Sequence, residues 1–221
     1  MQTFTTPAPI AAVLAVPAAR IEIVASDRAD TTVDVRPANA TRGRDVTAAE
    51  EITAVYADGV LRITAPEAKN QAFGPSGSVE ITVELPAGSG VEVTAAAGEL
   101  RGSGPLGDVV VESAQGPVVL AEAASARIGL QDGAVTVGRL VNGGELATRR
   151  GDLTVSEAVG GTLALTTQKG DITVAAAAGT SAALDANTAY GRVGNTLKND
   201  GTPALTVSAT TSYGDITARS L

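Results

Sequence analysis

The chain has no cysteine and no histidine, and only five of its 221 residues are aromatic. Without cysteine there can be no disulfide, thiolate nucleophile, zinc ribbon or iron–sulfur cluster. Without histidine the commonest general base and the commonest ligand of transition metals are missing. These absences favour a scaffold or binding module over an enzyme, and we expect no catalytic residue, metal or cofactor.

Positive charge is also scarce, because 24 acidic residues outnumber 16 basic ones and give a net charge of −8 at pH 7. Phosphate backbones are bound by positive surfaces, so nucleic acid is not an expected partner. Long apolar runs are missing too. The longest extends from Ala8 to Ala19, is interrupted by Pro9 and Pro17, and is shorter than the ~20 residues of a membrane span.

This run does not have the form of a secretory signal, because no basic residue precedes it and the first one is Arg20. We interpret it as two strand segments. The absence of a signal favours a cytoplasmic location, while export by another route stays open.

Glycine divides the chain in two. Residues 1–97 contain six of the 25 glycines and residues 98–221 contain nineteen. In the first part apolar and polar residues alternate over Thr32–Arg36 and Ser78–Leu85, and Asp58-Gly59 separates two apolar runs. Alternation is typical of strands with one buried face, and Asp-Gly is a hairpin signal. We therefore predict an N-terminal antiparallel β-sheet region over residues 1–97, with a helical turn near Thr47–Glu51 and a loop over Lys69–Gly77.

The second part is a repeat of blocks that each open on a glycine. The blocks begin with GPVVL, GAVTV, GDLTV, GDITV, GRVGN and GDITA, and each carries a second alternating run near its middle. A block is therefore two short strands and two turns, and residues 98–221 hold about six and a half of them. The opening glycines are Gly98, Gly116, Gly133, Gly151, Gly170, Gly191 and Gly214.

Such a block cannot bury its apolar side alone, so stacking is expected. In GDITV, Ile172 and Val174 point to one side because side chains alternate along a strand. Blocks stacked at ~4.8 Å align like residues and close a narrow core. One predicted column contains Val118, Val135, Leu153, Ile172, Val193 and Ile216, and the facing one contains Ile128, Leu146, Leu163, Leu184 and Leu205.

Repeats of the type GDLTV at 151, KGDITV at 169 and SYGDITA at 212, behind a β-rich start, resemble a bacterial β-strand-repeat family of unknown function labelled "putative adhesin". The resemblance covers roughly residues 20–221. It implies a right-handed β-helix-like domain and no catalytic residues. The predicted fold is thus all-β, with the N-terminal sheet region capping a short right-handed single-stranded β-helix, or β-solenoid, as one continuous unit.

Two polar features at the block glycines are candidate sites. Asp108, Asp152, Asp171 and Asp215 each follow a glycine. They could form a cation site or a carboxylate pair of a glycosidase, but Asp after Gly also hydrogen-bonds turn backbone, and we favour that interpretation. Arg149, Arg150 and Lys169 form a basic cluster beside them, which we interpret as a solvated, self-neutralising edge rather than a site for an acidic glycan or phosphate.

Tyr190 and Tyr213 precede aligned glycines and are predicted to stack on adjacent turns of the solenoid. We favour packing over a sugar-binding platform. The candidate ligand or partner contacts are then Tyr190, Tyr213, Asp152, Asp171, Arg149 and Arg150.

The predicted function is a non-enzymatic scaffold or binding protein that presents a repetitive Thr/Ser/Asp surface to a protein or glycan. The alternatives are a surface adhesin or glycan-binding module, then a self-assembling structural protein or a polysaccharide-acting enzyme that uses Asp pairs. The last half block, Gly214 to Leu221, contains no helix or proline, so end-to-end association through unpaired strand edges is also expected.

Overall fold

The computed structural model describes residues 1–66 and 77–221, so nearly all of the predicted loop Lys69–Gly77 lies outside the described residues. Apart from one helix, α1 (Gly43–Glu51), the described elements are strands that belong to one sheet system. The strands are β1 (Gln2–Thr5), β2 (Ala11–Ser26), β3 (Asp30–Pro37), β4 (Thr53–Ala57), β5 (Val60–Thr64), β6 (Val79–Pro86), β7 (Gly90–Gln115), β8 (Val118–Asp132), β9 (Val135–Leu140), β10 (Gly143–Arg150), β11 (Leu153–Ala158), β12 (Gly161–Lys169), β13 (Ile172–Ala176), β14 (Ala182–Tyr190), β15 (Val193–Thr196), β16 (Leu205–Tyr213) and β17 (Ile216–Ser220).

The repeat coils into parallel stacked layers, which confirms the predicted solenoid-like architecture. We call each layer a rung: one strand from each of two sheets, joined at a block glycine. Leu153 in β11 pairs in register with Val135 in β9 and with Ile172 in β13. All three side chains are fully buried. The first predicted column therefore forms the core on one side of the stack.

The alignment predicted for the facing column is wrong, although its side chains point into the core as predicted. Leu146 is in register with Ile128 and Leu165, whereas Leu163 is in register with Gly144 and Val207. The shift is two residues, and a shift of two keeps a side chain on the same face of a strand. The core is unaffected by the error, since Leu163 and Leu165 are both fully buried.

The last two rungs do not stack in the order of the sequence. Strands β16 and β17 pair with β12 and β13 on one side and with β14 and β15 on the other. The C-terminal rung thus lies between its two predecessors, and the rung β14–β15 forms the end of the stack.

Burial accounts for this order. The inserted rung supplies Leu205, Val207 and Ile216, which are fully buried, while at the positions in register the terminal rung has the smaller Ala182 and Val193, and it has the polar Asn195 in register with Ala218. Placing the more apolar rung inside removes more apolar surface from water.

A similar insertion occurs at the other end of the stack. Strand β2 pairs in parallel with β5 and β6 on one side and with β7 on the other. The antiparallel pairings lie beyond it, where β4 pairs with β5, β3 with β6 and β1 with β3. The run Ala8–Ala19 is extended as predicted, but from Ala11 onward it forms one continuous strand, β2, rather than two segments. Strand β7 runs continuously across position 97.

Helix α1 packs against β3 and β6. It is longer than the helical turn predicted at Thr47–Glu51. Within the described ranges, no helix has the length and apolar character needed to cross a bilayer.

Candidate functional site

The predicted site residues gather at the edge where the two sheets meet, which we call the glycine corner. It comprises the repeat glycines Gly151, Gly170, Gly214 and Gly191 with their neighbours on each side. Consecutive rungs approach closely here: a Cβ on Gly214, whose φ is +153°, would lie 2.0 Å from the carbonyl oxygen of Gly170. Only glycine permits this approach, so the corner backbone is fixed and the side chains beside it are held in register.

The aspartates that follow these glycines form a hydrogen-bonded ladder. Oδ1 of Asp152 accepts the backbone N–H of Asp171 at 2.8 Å, and Oδ1 of Asp171 accepts that of Asp215 at 2.8 Å. Asp215 accepts the N–H of Arg192 at 2.8 Å, and its Oδ2 lies 3.0 Å from the guanidinium of the same residue. The backbone N–H of Arg192, and then its side chain, lower the pKa of Asp215.

The ladder supports the turn interpretation of the aspartates. In the sequence, Arg192 falls between Asp171 and Asp215 and interrupts the column. In the structure, the inverted order of the last two rungs makes Asp152, Asp171 and Asp215 contiguous and places Arg192 at the end. One oxygen of each carboxylate is engaged by backbone, and among the described residues there is no cluster of three or more acidic residues arranged to hold a metal ion.

A second ladder runs inside the corner, and sequence reasoning missed it. The hydroxyl groups of Thr148, Thr167, Thr211 and Thr188 donate to the carbonyl oxygens of Gly133, Gly151, Gly170 and Gly214 respectively, each on the neighbouring rung, at 3.0 to 3.2 Å. The signal was present: a threonine stands three residues before each of the last four block glycines, in TRRG, TQKG, TAYG and TSYG. These hydroxyls supply hydrogen bonds to the carbonyl groups of glycines that lie between the strands.

Tyr190 and Tyr213 stack as predicted. Their ring centroids are 4.9 Å apart, the planes differ by 4°, and the residues are 67% and 56% exposed. Each ring covers one face of the other, so the pair is a stack of two rings rather than a coplanar platform. The outer face of Tyr190 points along the stack beyond the terminal rung, because Tyr213 lies on the rung beneath it.

The basic cluster is only partly neutralised. Arg150 forms an ion pair with Asp132 at 2.9 Å. Arg149 is exposed, and neither it nor Lys169 makes an ion pair with any residue that the structure describes. Along the corner, Arg150, Lys169, Tyr213 and Tyr190 occupy equivalent positions of successive rungs.

Next to the corner, one sheet has an outer surface that is rich in hydroxyl groups. We call it the hydroxyl face and define it as the outward side chains of β12, β16 and β14. Strand β16 contributes Thr206, Ser208, Thr210 and Ser212, all exposed. Thr166 and Asn187 flank Thr210 in register. Residues 162–168, 183–189 and 205–212 contain one charged residue, Asp185.

The outer surface of the other sheet is charged at its N-terminal end, where β2, β6 and β7 pair. Arg20 on β2 lies between Glu80 on β6 and Glu99 on β7, at 3.6 and 3.3 Å. Arg28 bonds to Asp30 and to Glu84, and these contacts lower the pKa of both carboxyls. Alternating charges therefore hold this region together across rungs.

A groove of about 800 Å³ lies between α1 and the bend of the N-terminal rungs. Its walls are mainly small apolar residues, among them Ala15, Pro17, Ala48 and Ala95, with Ile52 at one side. No sequence pattern indicated this groove, because its two walls come from segments far apart in the chain.

The comparisons with known proteins agree with this architecture. Residues 12–220 match the model of the family described as Toastrack DUF4097. No curated protein matches the chain.

Among solved structures, a "putative adhesin" from Bacteroides fragilis is 16% identical, with a TM-score of 0.61, and the match covers 98% of this chain and 95% of that one. A "putative cell adhesion protein" from Clostridium sporogenes is 13% identical over 100% of this chain and 98% of that one, with a TM-score of 0.43. A "putative lipid binding protein" from Parabacteroides distasonis is 14% identical over 98% and 95%, with a TM-score of 0.44. At these identities the first match establishes the shared fold and nothing more.

Proposed function

The chain belongs to the Toastrack DUF4097 family, a family of unknown function, and from that premise we propose that it is a non-enzymatic binding scaffold. It presents a repetitive Thr/Ser/Asp surface to a macromolecular partner. The observation that carries the proposal is the hydroxyl face, an exposed array of Thr and Ser side chains on the adjacent parallel strands β12 and β16, bordered by Asp185 and Asn187 on β14.

The composition of this face suits recognition of a neutral polymer. Each hydroxyl both donates and accepts hydrogen bonds. The side chains of Thr and Ser are short, so ordering them against a partner costs less conformational entropy than ordering Lys, Arg or Glu. Hydroxyls of β12 and β16 face each other at the ~4.8 Å strand spacing, and those of β16 recur at every second residue, an array that fits an extended polysaccharide or peptide strand.

A non-enzymatic role is supported by the chemistry of the corner. The chain has no histidine or cysteine, and a general acid among the aspartates would need a raised pKa. Asp215 has a lowered pKa, and its carboxylate accepts two hydrogen bonds from Arg192.

Glycan binding at the tyrosine pair is the second candidate. It is favoured by the exposure of both rings and by the open outer face of Tyr190. A sugar ring could stack on that face, whereas Lys169 and Arg149 lie beyond Tyr213 and could contact only a ligand that extends along the corner. In both candidates Asp152 and Asp171 position the corner backbone, and Arg150 lies at its edge.

The experiment is a binding screen against an array of defined glycans and polysaccharides, with Thr210→Glu as the test variant and Thr217→Glu as its control. Both threonines are exposed on the same rung, but Thr217 lies on the other sheet. We expect binding that Thr210→Glu abolishes and Thr217→Glu leaves unchanged. Loss through Tyr190→Ala with retention in Thr210→Glu would support the tyrosine site instead, and equal binding by all variants would contradict both proposals.

The adhesin version of this proposal, unlike an internal scaffold, further requires that the chain be exported. Treatment of intact producing cells with a protease tests it, since an exported chain is cleaved and an internal one is protected. Protection of the chain in intact cells, with cleavage after lysis, would contradict the adhesin version and leave the internal scaffold.

A further inference from the structure

We propose that residues 182–221 form a module that is exchanged between two copies of this chain. In the exchanged dimer, the rung β16–β17 of one copy occupies the position beside β12–β13 of the other. The proposal is independent of what the hydroxyl face binds.

The module is attached to the rest of the stack on one side only. Strands β14 and β15 have their strand pairings only with β16 and β17, within the part of the chain that the structure describes. The module therefore joins the rest of the stack through one rung–rung interface, β12–β13 against β16–β17, and through one covalent link, residues 177–181.

The interface between β12–β13 and β16–β17 is made by residues that are distant in sequence. Gly170 N–H donates to Tyr213 O at 2.9 Å, Ile172 N–H to Asp215 O at 2.9 Å, and Leu221 N–H to Ala176 O at 3.0 Å. Every one of these bonds can be made equally well by the module of a second copy, because the contacting surfaces are identical. Exchange of an identical element keeps the interface energy and changes only the connection.

Hydrogen bonds connect the two rungs within the module. Gly214 N–H donates to Tyr190 O at 3.0 Å, Ile216 N–H to Arg192 O at 2.9 Å, and Ser181 Oγ at the end of the link bonds to Asp200 at 2.7 Å. The tyrosine stack and the ion pair between Arg192 and Asp215 also lie within it. The two rungs can therefore move together.

The link of residues 177–181 is longer than the distance that it has to span. Because the C-terminal rung is inserted, residues 177–181 must pass one rung position, a distance of two strand spacings or ~9.6 Å. Five residues reach up to ~17 Å when extended. Gly179 in this link is exposed and has φ +79°, and no atom lies within 4 Å of the position that a Cβ would take there. Opening at Gly179 leaves the buried Ala177 and its hydrogen bond to Ala158 O in place, and it breaks the bonds of Thr180 to Ala177 O and Val159 O.

The test uses pairs of single-cysteine variants, since the chain has no cysteine of its own. Differently tagged Thr166→Cys and Thr210→Cys chains are mixed, unfolded, refolded between about 1 μM and about 1 mM, and oxidised. These positions face each other in register across the interface, within the range that a disulfide spans. The control replaces the second chain with Ala147→Cys, which faces Thr166 from the opposite neighbour, β10.

We expect a disulfide-linked heterodimer from Thr166→Cys with Thr210→Cys, in several-fold excess over the control and increasing with concentration. Equal yields in the two mixtures, or monomer alone at every concentration, would overturn the proposal. Removal of Ala178 and Gly179 gives a second readout: the shortened link strains closure within one chain, so the dimer fraction measured by light scattering rises. An unchanged monomer after that deletion counts against the exchange as well.

Discussion

The two ends of the stack are closed by different means. At the N-terminal end, the rung of β5 and β6 is covered by the antiparallel strands β3 and β4, with β1 beyond β3 and α1 packed against β3 and β6. At the C-terminal end the rung β14–β15 has no covering element among the described residues, and its inward positions include exposed Val193 and Asn195.

The two ends of the stack are thus protected in two different ways. A covering of antiparallel strands allows large apolar side chains close to the end, whereas an uncovered end is tapered to small and polar ones. In both cases the chain's own terminal rung is inserted one position inside, where neighbours clamp it on two sides and fraying is restrained. Ion-paired charges lie on the outer surface of one sheet near the N-terminal end, and the hydroxyl face lies on the other sheet near the C-terminal end.

The largest expected effect contrasts the interior with the tapered end. Ile172→Asp places an unpaired charge in the fully buried column and should cost about 5 kcal/mol or more, enough to unfold most of the protein. Val193→Asp, in the same column but half exposed, should cost less than about 1 kcal/mol. Urea denaturation followed by circular dichroism measures both. Similar midpoints for the two variants would contradict the assignment of the end rung.

A smaller effect is expected from the glycine corner. Gly214→Ala would bring a Cβ within 2.0 Å of Gly170 O and should destabilise the stack by about 2–4 kcal/mol. Gly129→Ala is the matched control, because that glycine lies in strand β8 with open space around its Cβ direction, and alanine there should stabilise by about 0.5 kcal/mol. Thermal melting of both variants provides the measurement, and equal Tm values would refute the role of the corner.

The threonine ladder should show a graded loss toward the end of the stack. Thr211→Val removes the hydroxyl that donates to Gly170 O from a residue that is 2% exposed, at a cost of about 1–2 kcal/mol. Thr188→Val makes the same change on the terminal rung, where water can reach the carbonyl of Gly214, and should cost about 0.5 kcal/mol. Chemical denaturation of the two variants tests the order. A larger loss in Thr188→Val would reverse it and place the free end elsewhere.

The smallest expected effect is on the stability of the fold at acid pH. Asp215 at one end and Glu84 and Asp30 near the other have pKa values lowered by arginine contacts and hydrogen bonds. Their contribution to stability is present above the unfolded-state values, 3.8 for Asp and 4.5 for Glu, and is lost as the pH falls through the lower folded-state values. Asp215→Asn should flatten the acid side of the stability curve slightly, and added salt should weaken the dependence. Unfolding midpoints measured from pH 7 down to pH 2 in both proteins would show an unchanged curve if the contact contributes nothing.

Much of this architecture could be predicted because repeated blocks of similar sequence adopt equivalent structures and stack in register. The equivalence of Leu153 and Ile172 predicted stacking without any knowledge of the neighbours, and Tyr190 and Tyr213 were predicted to be adjacent from their position before a glycine. The sequence indicated which residues form the candidate site, but not which hydrogen bonds and ion pairs they make. That the carboxylates of Asp152 and Asp171 bond to the backbone of the next rung, and that Arg150 has an ion pair with Asp132, depends on geometry that residue types do not specify.

By itself the amino-acid sequence determined the strands, their inward faces and the glycine turns, because these follow from side-chain alternation and from the steric limits of each residue. Only the tertiary structure decided which rung lies beside which. That order depends on total burial rather than on position in the chain: Leu205, Val207 and Ile216 displace a more polar rung from the interior, and a five-residue link is long enough to permit it.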